Sequence, residues 1–210
     1  MENSAQLAAV AFPHVNHNGV LENVDELTNL THAVKAKVVA IIDPMLLVTG
    51  ALKAPIEYGD KGADMLVGEG QHLAIGPNYG GPGLGIFAIR YNQESKNDIR
   101  ATPGRYVGKA KDLSGKNCFS MILSTREQHI RREKATSNIC SNQSFVATLV
   151  GASLLSRGDA ELKSAVEHGK NLAHHLASEL CQFSGVDLAY PHSAFWNEFT
   201  LALSLPTAAV

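Results

Sequence analysis

The sequence is short of the features that would tie a chain to a bilayer, a nucleic acid or a disulfide scaffold. No apolar run approaches the ~20 residues that a membrane-spanning helix requires, and Met1-Glu2-Asn3-Ser4 places an acid where a secretory signal would begin with base. The 18 Lys and Arg against 20 Asp and Glu give a formal charge of −2, which leaves no basic excess to meet a phosphate backbone. Neither a membrane nor a nucleic acid is an expected partner. The three cysteines, Cys118, Cys140 and Cys181, lie far apart with no C-x-x-C pair, against both a zinc site and a disulfide framework. Reduced thiols in a cytoplasmic protein are the expectation. His14 and His17 share one loop without a third ligand nearby, so they are read as solvent-facing or capping histidines and no metal is assigned.

What is present is the pattern of an α/β domain. With 210 residues and 45% apolar composition the chain can bury the core of one domain plus an appendage. Leu7 to Phe12, closed by Pro13, reads as a buried strand. From Val20 to Val34 the residues Leu21, Val24, Leu27, Leu30 and Val34 recur at helical spacing. Val38-Val39-Ala40-Ile41-Ile42 is a β-branched run expected to be a central parallel strand, completing a βαβ unit. Asp43-Pro44 then stands at the carboxyl end of that strand, where open α/β sheets place ligand contacts. A strand-terminal aspartate can equally cap the turn before a proline, and both readings stay open.

The stretch from Gly62 to Gly85 concentrates glycine. Asp64 to Val67 reads as a short strand buried on both faces, ended by Gly68 and Gly70. Gly76 and Gly80-Gly81-Pro82-Gly83 then allow positive φ and close approach of backbone N–H groups to a ligand. Such a loop can cradle a phosphate or simply turn at a sheet edge. It lacks the Gly-Lys-Ser/Thr of the Walker loop, and no helical run follows to make a dinucleotide fingerprint.

Further along, Ile86 to Ile89 reads as a strand, Pro103-Gly104-Arg105 as a turn, and Asp112 to Lys116 as the hairpin turn into a strand from Cys118 to Leu123. Thr125 to Asn142 is dense in charge: a solvated helix face, or a subunit contact or anion pocket through Arg126, Arg131 or Arg132. Ser144 to Leu155 is expected to be a tightly packed buried helix. A second helix from Asp159 or Ala160 through Cys181 is expected to carry Leu162, Val166, Leu172, His175, Leu176 and Leu180 on one stripe, with His168, His174 and His175 read as partly exposed surface histidines. Val186 to Tyr190 and Phe195 to Leu203 read as strands of a second α/β layer.

GADMLVGEGQ, NYGGPGLG, PGRYVGK, the Thr125 to Gln143 stretch and FWNEF occur in that order between Phe12 and Leu203. Together they resemble the first, alpha-type subunit of the glycine-cleavage P-protein, the glycine dehydrogenase (decarboxylating). The resemblance implies part of a fold-type I pyridoxal-phosphate-dependent transferase: a partial large domain over 1–157, mostly parallel sheet with flanking helices, and the start of a small C-terminal α/β domain over 158–210. It also implies a fragment of a longer subunit, a hetero-oligomer with a catalytic beta-type subunit, and a lipoyl H-protein as acceptor of the aminomethyl group left when glycine is decarboxylated.

By the same resemblance Asp43 is the counterpart of the aspartate that pairs with the cofactor's pyridinium nitrogen, and Gly80 and Gly81 belong to the cofactor-facing loop. The Schiff-base lysine of the beta-type relative has Gln71-His72 in its place, and neither an amide nor an imidazole forms an imine with an aldehyde. The chain is therefore expected to be non-catalytic by itself, with no catalytic residue of its own and no covalently bound pyridoxal phosphate. The alternative is an interaction protein of degenerate transferase fold outside any enzyme.

Overall fold

The computed structural model describes residues 6–92, 95, 98–99, 102, 107–121, 128–135 and 143–205. In chain order the elements are β1 (Ala9–Pro13), α1 (Val24–Ala33), β2 (Lys37–Ile42), α2 (Pro44–Val48), β3 (Met65–Glu69), β4 (Gly85–Ile89), β5 (Val107–Lys111), β6 (Asn117–Met121), α3 (Gln128–Arg131), α4 (Gln143–Leu180), β7 (Val186–Leu188) and β8 (Leu201–Leu203). They divide into two compact units, Met1–Arg90 with Ser144–Val210, and Tyr91–Gln143.

The first unit is built on a four-stranded sheet in the order β1-β2-β3-β4. β1, β2 and β3 run parallel, and β4 returns antiparallel to β3. The alternation of side chains along each strand puts Val10, Phe12, Val38, Ala40, Ile42 and Leu66 on one face, where they pack against Val24 and Leu27 of α1 and against Tyr58 and Ala63. The apolar runs predict strands covered on both faces, but the described residues cover one. On the other face Ala11, Ile41 and Phe87 are exposed and Val39, Met65 and Val67 half-buried. The reason is that α1 and the Pro55 to Ala63 connection both cross on the first side.

α1 begins later than its apolar spacing predicts. Asn23 caps it, accepting from the Glu26 N–H at 3.3 Å while its own amide donates to the Glu26 carboxylate at 3.0 Å, a reciprocal cap that ends the helix there. Its inward stripe is Val24, Leu27, Thr28 and Thr31, with Leu30 left exposed. Thr31 is buried with its hydroxyl donating back to the Leu27 carbonyl, which removes the penalty of burying it.

The long helical run α4 is two helices joined at Gly158, whose φ of 68° and ψ of 170° break the spiral. The first half is not the tightly packed helix expected. Val146 and Val150 are buried, whereas Phe145 is 64% and Leu155 is 88% exposed, because a single stripe meets the rest of the unit, through Leu73. The second half buries Leu162, Val166 and Ala177. Leu172 and Leu176, placed on the buried stripe by the sequence, are exposed, since they lie off to one side of the Leu162-Val166-Ala177 line at 100° per residue. A Cβ at Gly158 would meet no neighbour, so only backbone strain opposes a larger residue. Gly158→Ala is expected to lower stability by about 1–3 kcal/mol, read as a fall in the urea midpoint.

β7 and β8 pair antiparallel, and the second of these strands is shorter than predicted. Residues 195–199 are an irregular segment anchored by Trp196, buried against Leu46 and Val166 with the Lys170 ammonium 4.4 Å over its ring. His174 stacks on Phe195 at 4.1 Å.

The second unit holds the β5-β6 hairpin, turned by residues 112–116 as expected, where Asp112 accepts from the N–H groups of Ser114 and Lys116. Arg131 and Arg132 are exposed. The expected turn at Pro103-Gly104-Arg105, together with Arg126 and Cys140, lies outside the described residues.

Candidate functional site

The three parallel strands end on the same side, and the residues just after them meet there. Pro13 ends β1 and His14 follows it, Asp43 follows β2, and Gly68 and Glu69 close β3. With Leu46, His72, Asn197 and Glu198 they line a cleft of about 590 Å³, at the carboxyl ends where α/β sheets gather ligand contacts.

Asp43 is fixed by its own sequence. It precedes Pro44 at the first position of α2 and accepts from the Met45 N–H at 2.8 Å, so the turn-capping reading holds. Its second partner comes from a distance: His72 Nε2 stands 3.0 Å from the same carboxylate oxygen. His72 is held there by the turn Gln71–Leu73. Leu73 is buried against Val146 and Val150 of α4, and the Ser153 hydroxyl donates to the Leu73 carbonyl at 2.8 Å. Gln71 points elsewhere: its amide donates to the carbonyls of Ile75 and Gly76. Of Gln71 and His72, His72 is the one among the described residues lining the cleft.

Burial by itself would raise the Asp43 carboxyl. The hydrogen bond and charge of His72, with the N–H groups of Met45 and Leu46, outweigh it and leave Asp43 below the usual carboxylate range. The bond to Asp43 lifts His72 above the ordinary imidazole value, against its own burial and with help from the charges of Asp43 and Glu69. Each partner therefore favours the charged form of the other. Both side chains are 43% exposed, so the pair adds at most about 1 kcal/mol to stability.

The remaining groups are mostly acidic. Glu69 accepts from the N–H groups of Gln71 and Leu84, and Glu198 adds a third carboxylate to the lining. His14 is pushed down by burial, with Lys53 adding to the fall and Asp25 opposing it. Its Nδ1 lies 3.3 Å from the Tyr58 hydroxyl, which burial and Asp25 push up to about 12. No lysine or arginine is among the described residues that line the cleft. Lys53 pairs with Asp25 at 2.7 Å. Gly80 and Gly81 are exposed and are not among the residues lining the cleft. Gly80 has a φ of 97°, a conformation that suits glycine.

Reading along the sequence singled out Asp43 but missed Glu69, Asn197, Glu198 and the His72 contact. Counting residues just past each parallel strand would have flagged His14 and Glu69; nothing local marks Asn197 or Glu198.

A mostly parallel sheet with flanking helices and polar groups gathered at its carboxyl end is the fold-type I architecture of pyridoxal-phosphate-dependent enzymes. Two distant solved structures share that fold: a sphingosine-1-phosphate lyase from Burkholderia pseudomallei (TM-score 0.58, 12% identity, 94% of this chain and 40% of the other) and a NifS-like protein from Rickettsia africae (0.57, 17%, 99% and 49%). A crystal structure of glycine decarboxylase (P-protein) of the glycine cleavage system, in inhibitor-bound form, matches far more closely, with a TM-score of 0.83 and 35% identity over 98% of this chain and 44% of that one.

The sequence profile described as glycine cleavage system P-protein matches residues 1–209, and the chain belongs to that family. Among curated relatives, the probable glycine dehydrogenase (decarboxylating) subunit 1 of Nitrosomonas europaea is 40% identical over 98% of this chain. That of Chlorobium luteolum is 41% identical over 97%. In both cases the chain spans 44% of the relative's length.

The residues present do not fit covalently held pyridoxal phosphate. Among the described residues that line the cleft there is no lysine for the aldehyde and no lysine or arginine for the phosphate, and Asp43 is already paired with His72.

Proposed function

We propose that this chain is a non-catalytic part of the first subunit of a glycine dehydrogenase (decarboxylating). The assembled enzyme decarboxylates glycine on pyridoxal phosphate and passes the aminomethyl group to the lipoyl arm of an H-protein. The cofactor is held by a lysine-bearing second subunit, and this chain supplies sheet, helices and contact surface. Family membership and the subunit 1 names of its relatives support the assignment. The observation that carries the division of labour is His72 at the cleft in the lysine's place.

On this reading the isolated chain is inactive, and the complex is a cytoplasmic hetero-oligomer taking part in glycine catabolism. Asp43, Gly80 and Gly81 are remnants of a cofactor-facing surface. Residues 1–157 belong to a large transferase-like domain and 158–210 open a small C-terminal one, a division supported by the helix break at Gly158.

The test is co-expression with the tagged second subunit of a relative, followed by exposure to pyridoxal phosphate and borohydride. The two chains are expected to co-purify, with the pyridoxyl mass on the partner and none on this chain. Glycine-dependent release of carbon dioxide is expected only when the partner and a lipoylated H-protein are present. A pyridoxyl adduct on this chain, or turnover by it alone, would overturn the proposal.

A further inference from the structure

The cleft at the end of the parallel strands has a polarity of its own. Among the described residues its titratable lining consists of three carboxylates, Asp43, Glu69 and Glu198, and two imidazoles, His72, which is paired with Asp43, and His14. The Asp43–His72 contact joins one acceptor oxygen to one ring nitrogen at 3.0 Å. Apolar side chains, Ile41, Ile42, Leu46, Leu52 and Val67, make up much of the rest of the wall. An apolar slot with a carboxylate at one end suits a flat ring with a polarised N–H, whereas a phosphate monoester would face three carboxylates and no described lysine or arginine.

We infer that His72 is an internal ligand of this cleft: its imidazole occupies the acceptor on Asp43 that a small protonated nitrogen heterocycle would use, and the cleft accepts such rings only without a phosphate. The inference depends on geometry within one compact unit. Asp43 is fixed by the first turn of α2, and His72 is carried on a turn that α4 props through Leu73 and Ser153. It rests on the reading that the cleft is the counterpart of a cofactor cleft, and it specifies what that counterpart now takes. Because the pair is half exposed, displacing it is only a small obstacle to a ligand. The larger obstacle is the ring itself, which fills the space next to Asp43.

The experiment is cavity complementation in the full chain. His72→Gly removes the ring and leaves Asp43 in place. Wild type, His72→Gly and the His72→Gly/Asp43→Asn double variant are titrated with imidazole, pyridoxine and pyridoxal phosphate, reading backbone amide shifts at Met45 and Leu46. Imidazole and pyridoxine are expected to bind His72→Gly at least about fivefold more tightly than wild type, a difference of about 1 kcal/mol, while pyridoxal phosphate shows no gain. Asp43→Asn should abolish the gain.

The inference is overturned if wild type binds the rings as tightly as His72→Gly, if the double variant keeps the gain, or if pyridoxal phosphate gains as much as pyridoxine. Should the glycine variant not fold, His72→Ala is titrated in its place against the same outcomes. Co-purification with the second subunit is scored separately for each variant. Loss of that binding in wild type would strike the functional proposal and leave the ring-binding result standing, and the reverse holds too.

Discussion

Gly19→Val is expected to cost about 3–5 kcal/mol and to release one wall of the cleft. Gly19 sits at a φ of 81°, and a Cβ there would collide with the carbonyl of Glu198 and stand 2.9 Å from the Phe199 nitrogen. Both partners are backbone and cannot swing aside. The contact belongs to a tight clamp. Asn16 accepts from the N–H groups of Asn18 and Val20, the Thr200 hydroxyl donates to the Asn18 carbonyl at 2.9 Å, and the Leu21 N–H donates to the Ala194 carbonyl at 2.9 Å.

This clamp holds Asn197 and Glu198 at the cleft mouth, opposite the carboxyl ends of the strands. A β-branched side chain at positive φ adds backbone strain to the collision. The measurements are the urea midpoint and limited proteolysis, with cleavage expected to appear within residues 190–200. A variant with wild-type midpoint and protection would mean that the clamp does not hold this segment.

Asp64→Ala is expected to cost about 2 kcal/mol at neutral pH. Asp64 stands immediately before β3 and ties three elements together. It accepts from the Val38 N–H at 2.9 Å, faces His32 Nε2 of α1 at 3.0 Å, and lies 3.4 Å from the Lys37 ammonium. The side chains of Asp64 and His32 are 21% and 17% exposed. Truncation therefore leaves a ladder N–H and a histidine nitrogen short of partners in a partly dry setting.

The same residue gives a pH dependence with a definite sign. Burial by itself would raise the Asp64 carboxyl, but the Val38 N–H, His32 and Lys37 outweigh it and hold the group below its ordinary value. A carboxyl depressed in the folded state contributes stability that is complete above its unfolded value, near 4, and is lost as pH falls through its folded value. Urea midpoints for wild type and Asp64→Asn should accordingly converge as pH drops from about 7 to about 3. A constant gap across that window would show that the charge on Asp64 contributes nothing.

Much of the fold was legible because it depends on local rules. Alternation and β-branching marked β2. The run before Gly68 marked β3, and the Asp43-Pro44 step marked the end of β2. The misreadings share one cause, that apolar spacing reports which face could be buried and never what will lie against it. Thr28 and Thr31 took inward positions on α1 because Asn23 set the helix start and thereby its phase. Leu172 and Leu176 stayed outside because the described elements meet α4 along a different line.

From the residues alone followed an α/β chain with an acid at the end of its central strand and Gln71-His72 a few residues before its glycine-rich loop. These are statements about identity at a position, and identity needs no third dimension. The return of β4 antiparallel to β3, the gathering of Glu69, Asn197 and Glu198 around Asp43, and the turn of His72 toward that carboxylate while Gln71 bonds backbone carbonyls were decided by tertiary structure. Most of those outcomes depend on contacts between residues far apart in sequence, 29 positions for His72 and Asp43. Only the packing of Leu73 on α4 and of Trp196 beneath α2 brings such residues within reach.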